Sequence, residues 1–459
     1  FSYAGSESQD WEKRAESLYK GGLLLYRSGR RLDTLPTRGV EMHGSEALEF
    51  TVFAGTMRKL LKTLAPFVVL GLALGLAACS DRNTVQVAVV LPLSGEHAVY
   101  GEPIKNAIEL AHRQIQQEKH PYRLELAFHD SGSDPAKAAE LLRQAYSDGA
   151  FAAIGGVTSD EAQAMVPIAN AEERLLVSPS ASSQRLTGAS RYFFRIFPSD
   201  LQEGTKMGNF AAQKLDLENV VVLAADNSYA QGISQVFVNE FERYEREVLE
   251  RIVYPAGTQD FGATLDQVME INPQAVYVAD FARPVSQILS GLKERGFRGT
   301  LLTTSAFAAP GIIRAAGQGA EDVILTQVQF EPAGEDPAVR AFVDQYAQAY
   351  GEEPGLYAAH GYDALKVVAA ALDRGTNLPS DMWKNMRGLS GFQGVTGSIE
   401  FDERGDVGKY PRVYILQGGS FEDYDRVIGE RREQLMKRLE EIRRARERAL
   451  RQGASSPGA

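Results

Sequence analysis

From Thr84 onward the chain alternates short β-branched runs with amphipathic stretches at helical spacing, and this rhythm constrains the fold more than any other feature. The run Thr84 to Leu91, TVQVAVVL, suits a parallel strand buried on both faces. A turn at Pro92-Leu93-Ser94-Gly95 follows, and then a helix is expected from about Pro103 to Glu118. Strand-like runs at Arg123–Phe128, Phe151–Ile154 and Leu175–Val177 alternate with helical stretches at Pro135–Tyr146 and Ser159–Asn170. Such alternation implies right-handed βαβ crossovers and one doubly wound lobe.

A second series starts near Asp200 with a helix to about Leu215. Strands are expected at Val220–Ala224, Leu249–Tyr254, Ala275–Ala279 and Thr300–Thr304, with helices at Ala230–Glu245, Phe261–Ile271 and Pro284–Arg295 between them. It describes a second lobe of the same kind. Beyond residue 329 come helices at Asp336–Tyr350 and Tyr357–Asp373, then two extended runs, Gly397–Phe401 and Arg412–Leu416, read as a hairpin around Asp402-Glu403-Arg404-Gly405. The fold class is therefore α/β: two doubly wound parallel-sheet lobes, with a chain that crosses between them more than once and so forms a hinge. From Gly429 to Gln452 dense charge surrounds a thin apolar stripe at Leu435, Leu439, Ile442 and Ala449, the pattern of a solvated helix before a Gly/Ser/Pro end.

The 459 residues carry a net charge of −11, which disfavours nucleic acid as a partner because a polyphosphate needs a basic face. Cys79 is the single cysteine, so neither an internal disulfide nor a multi-thiolate metal site can form within the chain. Its surroundings explain it. Arg58, Lys59 and Lys62 precede an apolar run from Leu64 to Ala78, too short to span a bilayer but suited to a signal peptide over residues 57–78. The run ends in Leu76-Ala77-Ala78-Cys79, which resembles the lipobox of bacterial lipoproteins and implies lipidation at Cys79 and anchorage to a membrane of the cell envelope. Residues 1–56 are read as upstream translation outside the fold.

The sequence holds no GxSxG elbow, P-loop, GxGxxG or HExxH, and its six histidines are scattered without ligand spacing. No catalytic residue, cofactor or metal site is assigned, and a binding module is the expectation rather than an enzyme. Two serine-bearing turns follow strands of the first lobe, Gly155-Gly156-Val157-Thr158-Ser159 and Ser178-Pro179-Ser180-Ala181-Ser182-Ser183. Ligands of open parallel sheets bind beyond the carboxyl ends of strands, where hydroxyls and helix N-termini can hold an anion. The competing reading makes Ser159 a helix cap and the other serines turn formers.

Several stretches then point one way: Val89-Val90-Leu91-Pro92-Leu93-Ser94-Gly95 with Tyr100-Gly101, Asp134-Pro135, Ile154-Gly155-Gly156 through Ser159, Ser178-Pro179, Asn227-Ser228-Tyr229 with Gly232, and Phe401-Asp402-Glu403-Arg404-Gly405-Asp406. In their order and spacing from Thr84 to about Asp425 the chain resembles the Leu/Ile/Val-binding type of ABC-transporter substrate-binding protein, with a type I periplasmic-binding fold. The resemblance implies a binding domain over 79–428, with one lobe at about 84–199 and 329–409, the other at about 200–328 and 410–428, and a charged helix and disordered tail at 429–459. It implies that Ser159 and Ser182, with backbone at Val157 and Ser180, hold a ligand carboxylate, and that Tyr100 and Tyr229 line the cleft from either lobe. The family's amine-recognising pair falls on Phe281 and Ser305, neither of which carries a charge, so the α-amino group is not expected to matter. The implied partners are a polar, carboxylate-bearing small molecule and an ABC permease. A regulatory envelope lipoprotein, using the same fold to bind another protein, is the alternative.

Overall fold

The computed structural model describes residues 84–453 apart from 329, 376 and 377. The signal-peptide reading, Cys79, residues 1–56 and the last six residues lie outside the described residues.

The first sheet contains β1 (Thr84–Leu91), β2 (Arg123–Asp130), β3 (Ala152–Gly155), β4 (Leu175–Ser178) and β5 (Phe193–Arg195), all parallel, in the order β2-β1-β3-β4-β5. Helices α1 (Ala98–Ile115), α2 (Pro135–Ser147) and α3 (Ser159–Ala171) connect its strands. The alternation within β1 divides the core. Val87, Val89 and Leu91 join a cluster on one face, while Ala88 and Val90 join another with Leu142 of α2 and Met165 of α3. Both faces are covered by helices, which is why the strand reads as a continuous apolar run.

The second sheet repeats the plan with β6 (Asn219–Ala225), β7 (Glu247–Tyr254), β8 (Ala275–Ala279), β9 (Thr300–Thr303) and β10 (Ile324–Gln327) parallel in the order β7-β6-β8-β9-β10. Its helices are α4 (Asp200–Asn209), α5 (Ser228–Glu242), α6 (Gly262–Ile271), α7 (Ala282–Glu294) and α8 (Pro310–Ala316). The chain then returns to the first lobe through α9 (Pro337–Tyr350), α10 (Leu356–Asp373) and α11 (Met382–Arg387), with α10 against α1. A two-stranded hairpin of β11 (Phe392–Gly394) and β12 (Gly397–Ile399) follows. Finally β13 (Arg412–Gln417) and β14 (Ser420–Asp423) extend the second sheet antiparallel beside β10, and α12 (Tyr424–Gly453) ends the described chain with Leu435, Leu439 and Ile442 exposed.

Three sequence expectations change. Helix α1 starts at Ala98, with Pro103 inside it, because the rule that places proline in the first turn misjudged this start. The close approach of this helix to the turn after β1 depends on Gly101, where a Cβ would lie 2.0 Å from the Pro92 carbonyl oxygen. Gly397–Phe401 and Arg412–Leu416 do not pair. β12 pairs with β11, the Asp402–Gly405 turn closes only a bridge between Phe401 and Val407, and β13 lies in the other sheet. The short strand β5 went unread, since three residues carry no periodicity.

Candidate ligand-binding cleft

In both sheets the strand order reverses direction between the first and third strands of the series, at β1/β3 and at β6/β8. Brackets of loops beyond the carboxyl ends of strands at such points form crevices. Tyr100 follows β1, Val157 and Ser159 follow β3, and Ser180 and Ser182 follow β4; from the other lobe Tyr229 follows β6, Phe281 follows β8 and Ser305 follows β9. The structure brings all eight around one cavity. Thr158, Phe197, Ala306 and Tyr357 line it as well and were not foreseen. No Asp, Glu, Lys or Arg is among its described lining residues.

The hydroxyls differ in what they have left to offer. Thr158, not Ser159, caps α3: its side chain accepts from the Glu161 amide at 3.2 Å while the Glu161 carboxylate reaches back to the Thr158 amide, a capping box. The helix-cap reading of Ser159 is therefore corrected. Ser159 Oγ accepts the Ser183 N–H at 3.1 Å and keeps its own proton. Ser180 Oγ donates to the Val157 carbonyl at 2.7 Å, tying the two serine turns together. Tyr100 spends both capacities of its hydroxyl on the opposite lobe, donating to the Ala306 carbonyl at 2.8 Å and accepting the Ala282 N–H at 2.7 Å. Tyr229 donates to Thr304 Oγ1 at 2.7 Å. The Phe281 ring lies 5.9 Å from that of Tyr100 and 5.5 Å from that of Tyr229.

An ion pair steadies the second serine turn. Arg195 of β5, whose side chain is 0% exposed, donates from Nε and Nη2 to the two oxygens of Asp406 at 2.7 Å each. Its Nη1 donates to the Ser183 carbonyl at 2.9 Å. Asp406 is delivered by the turn at Gly405, whose φ of +83° favours glycine and whose carbonyl accepts the Arg195 N–H.

Two buried acids on α4 stand behind the cleft. Glu203 accepts from Ser305 N at 2.6 Å, Ser305 Oγ at 2.8 Å and Thr326 Oγ1 at 3.0 Å, and burial pushes its carboxyl up to about 6 against those bonds. Asp200 is fully buried, and neither carboxylate oxygen has a hydrogen-bond partner among the described residues. Burial pushes it up to about 7; the Ser182 hydroxyl, close by but outside hydrogen-bonding geometry, offsets part of this. Sequence reasoning missed both, because acids in the first turn after the Ser199 cap look like ordinary partners of the helix dipole. Asp280, which could have entered the cleft as an amine partner, lines a neighbouring cavity instead, with its oxygens bonded by Phe281 N, Asn227 Nδ2 and the Tyr254 hydroxyl.

A family model described as Periplasmic binding protein matches residues 84–419. The Leucine-, isoleucine-, valine-, threonine-, and alanine-binding protein of Pseudomonas aeruginosa is 24% identical over 329 residues, covering 71% of this chain and 87% of its own length. The crystal structure of a leucine-binding protein from Thermotoga maritima is 30% identical with a TM-score of 0.70, covering 74% of this chain and 97% of that one. The branched-chain amino acid transporter substrate-binding protein of Streptococcus pneumoniae, solved with isoleucine, is 25% identical with a TM-score of 0.69 over 74% of this chain and 98% of its own. The family match takes in β1 to β13 and every strand-end turn around the cavity, and the chain belongs to the periplasmic binding protein family as a member of its Leu/Ile/Val-binding type.

Proposed function

We propose that the protein captures a small carboxylate-bearing metabolite outside the cytoplasm and delivers it to an ABC permease, held to the cell envelope by a lipid on Cys79. The observation that carries the ligand class is the Ser159 hydroxyl: it accepts from Ser183 N, so its proton is left for an acceptor, at the first turn of α3 where helix N–H groups favour an anion. The rings of Tyr100, Phe197, Tyr229, Phe281 and Tyr357 suit the apolar body of such a molecule. The site's relatives are proteins named for leucine, isoleucine and valine, yet here the lining offers no charged partner for an α-ammonium. Carboxylates lacking that group, aromatic ones included, are the expected ligands.

Calorimetric titration with a panel of simple carboxylates tests this. Ser159→Ala removes a hydrogen bond to a charged group, and affinity should fall by roughly ten- to a hundredfold with the fold intact. Unchanged affinity would place the carboxylate elsewhere. A second reading, conventional α-amino-acid capture, is favoured by Asp200 alone, a buried carboxylate with unspent oxygens next to the Ser182 turn. A thermal-shift panel pairing each amino acid with its deaminated analogue separates the two: stabilisation by the amino acids only would select the second.

A further inference from the structure

Beyond Phe281 the cleft continues. A second cavity shares Tyr100, Thr158 and Phe281 with the first and, like it, is walled by both lobes. The lining changes character there, because Glu96 and Asp160 come from the first lobe and Asp280 from the second. Arg283, the one arginine on its described wall, is exposed to solvent. The hydroxyl-lined cavity can donate to an anion; the continuation is rich in acceptors.

The second observation is independent of the acids. His97 lines this cavity, is only 8% exposed, and its Nδ1 has no hydrogen-bond partner among the described residues. Its Nε2 lies 3.2 Å from Glu96 Oε1, so in the neutral ring the proton sits on Nε2 and leaves Nδ1 as a bare acceptor. Burial lowers the pKa of this imidazole and favours that neutral form. Asp160 receives only one long bond, 3.4 Å from Ser228 N, and Asp280 only neutral donors. No cation among the described residues neutralises either carboxylate at hydrogen-bond distance. A pocket in which two partly or fully buried carboxylates lack a paired cation gains most from a ligand group that brings several N–H donors and a positive charge.

We infer that the cavity bounded by His97, Asp160 and Asp280 is a distal subsite for an ammonium or guanidinium group, so that the ligand carries its carboxylate at Ser159 and Ser182 and a cation at the far end of an apolar spacer. This rests on the carboxylate reading above and narrows it to one class, ω-amino or ω-guanidino acids. Phe281, at the junction of the two cavities, would meet the spacer, which explains why a ring rather than a charged group serves at that position.

The test is calorimetric titration of the full chain with a ladder of straight-chain ω-aminocarboxylates, the n-alkanoates of matching length, and the matching α,ω-dicarboxylates. At the length that spans both cavities the ω-amino compound should bind roughly ten- to a hundredfold more tightly than the alkanoate, and the dicarboxylate more weakly than either. Asp160→Asn keeps shape and an acceptor for Ser228 N while removing charge, and should erase most of that preference, read as the ratio of ω-amino to alkanoate affinity within the variant. Glu96→Gln, at an exposed position, should lower it less. If alkanoates bind through Ser159 but the distal amine adds nothing, or the dicarboxylate binds best, the subsite is refuted and carboxylate capture stands. If no compound with a carboxylate binds, the carboxylate reading falls and the subsite with it.

Discussion

Removing the Asp406 side chain isolates a cation that has nowhere to go. In Asp406→Ala the Arg195 guanidinium stays fully buried, keeps its bonds to the Ser183 carbonyl and Thr187 Oγ1, and loses both carboxylate bonds. Breaking a buried ion pair from one side costs about 3–5 kcal/mol, because the remaining charge is desolvated without compensation. Asp406 is itself 13% exposed, so water can reach the vacated space, and the lower end, about 3 kcal/mol, is expected. Chemical denaturation followed by circular dichroism, with ligand titration in parallel, is the assay. Affinity should also fall, since Nη1 of the same arginine holds the serine turn that carries Ser182. Asp402→Ala is the control: its exposed carboxylate caps the turn through Arg404 N and Asp406 N without touching Arg195, and about 1 kcal/mol is expected from a lost local cap. If both variants cost the same, or Asp406→Ala costs less than about 1 kcal/mol, the pair does not organise the turn as argued.

Three further outcomes are expected. Asp200 and Glu203 have folded-state values raised to about 7 and about 6, so the folded state binds protons more tightly than the unfolded chain, and their contribution is fully present below the unfolded carboxylate range and lost as pH rises toward 7. Buried His97 and His360, held low, act in the opposite sense below their ordinary range, so the test is a difference: Asp200→Asn should flatten the loss of melting temperature between acidic and neutral pH. Intact-mass analysis of membrane-extracted protein should find acylation at Cys79 that Cys79→Ser abolishes. Solution scattering should show a smaller radius of gyration when a calorimetrically confirmed ligand is added, and an unchanged radius would contradict hinge closure.

Both sheets were legible because buried parallel strands leave β-branched runs, as in TVQVAVVL, that no surface segment imitates. The hairpin error at Arg412 has the opposite cause. Turn residues such as Asp402 to Gly405 report a local reversal and nothing about the partner, and β13 finds its partner in β10, far back in the chain. The two serine turns came from strand-end logic, and Tyr100, Tyr229, Phe281 and Ser305 from the family resemblance alone; the structure gathers all of them around one cavity. Phe197 was invisible because it follows β5, the strand that went unread, and Tyr357 because it sits in the first turn of α10 rather than on a strand-end turn. Asp200 and Glu203 escaped for a deeper reason. A carboxylate's burial is a tertiary fact, and the local signal, a serine cap followed by acids, is identical for a solvent-facing helix start.

The hydrogen bonds across the cleft divide recognition from closure. Tyr100 reaches Ala306 O and Ala282 N, Tyr357 reaches Ser305 O at 3.3 Å, Ser228 N reaches Asp160, and Gln163 Nε2 donates to Ser228 Oγ. At a net of about 0.5–1.5 kcal/mol each, the five together contribute roughly 2.5–7.5 kcal/mol to this arrangement. A micromolar ligand supplies about 8 kcal/mol of binding free energy, enough to decide the balance if it favours the closed form. Four of these contacts end on main-chain atoms of the second lobe, three of them through two tyrosine hydroxyls, and only the Gln163 contact ends on a side chain there. The Tyr100 hydroxyl is thereby fully spent, while Tyr357 and Tyr229, bonded to Ser305 O and Thr304, have committed their protons. Free donors remain on the first lobe, at Ser159. Under the proposed function, the first lobe would read the head group of a ligand, while its apolar body, through Phe281 and Tyr229, would govern whether the second lobe can close over it.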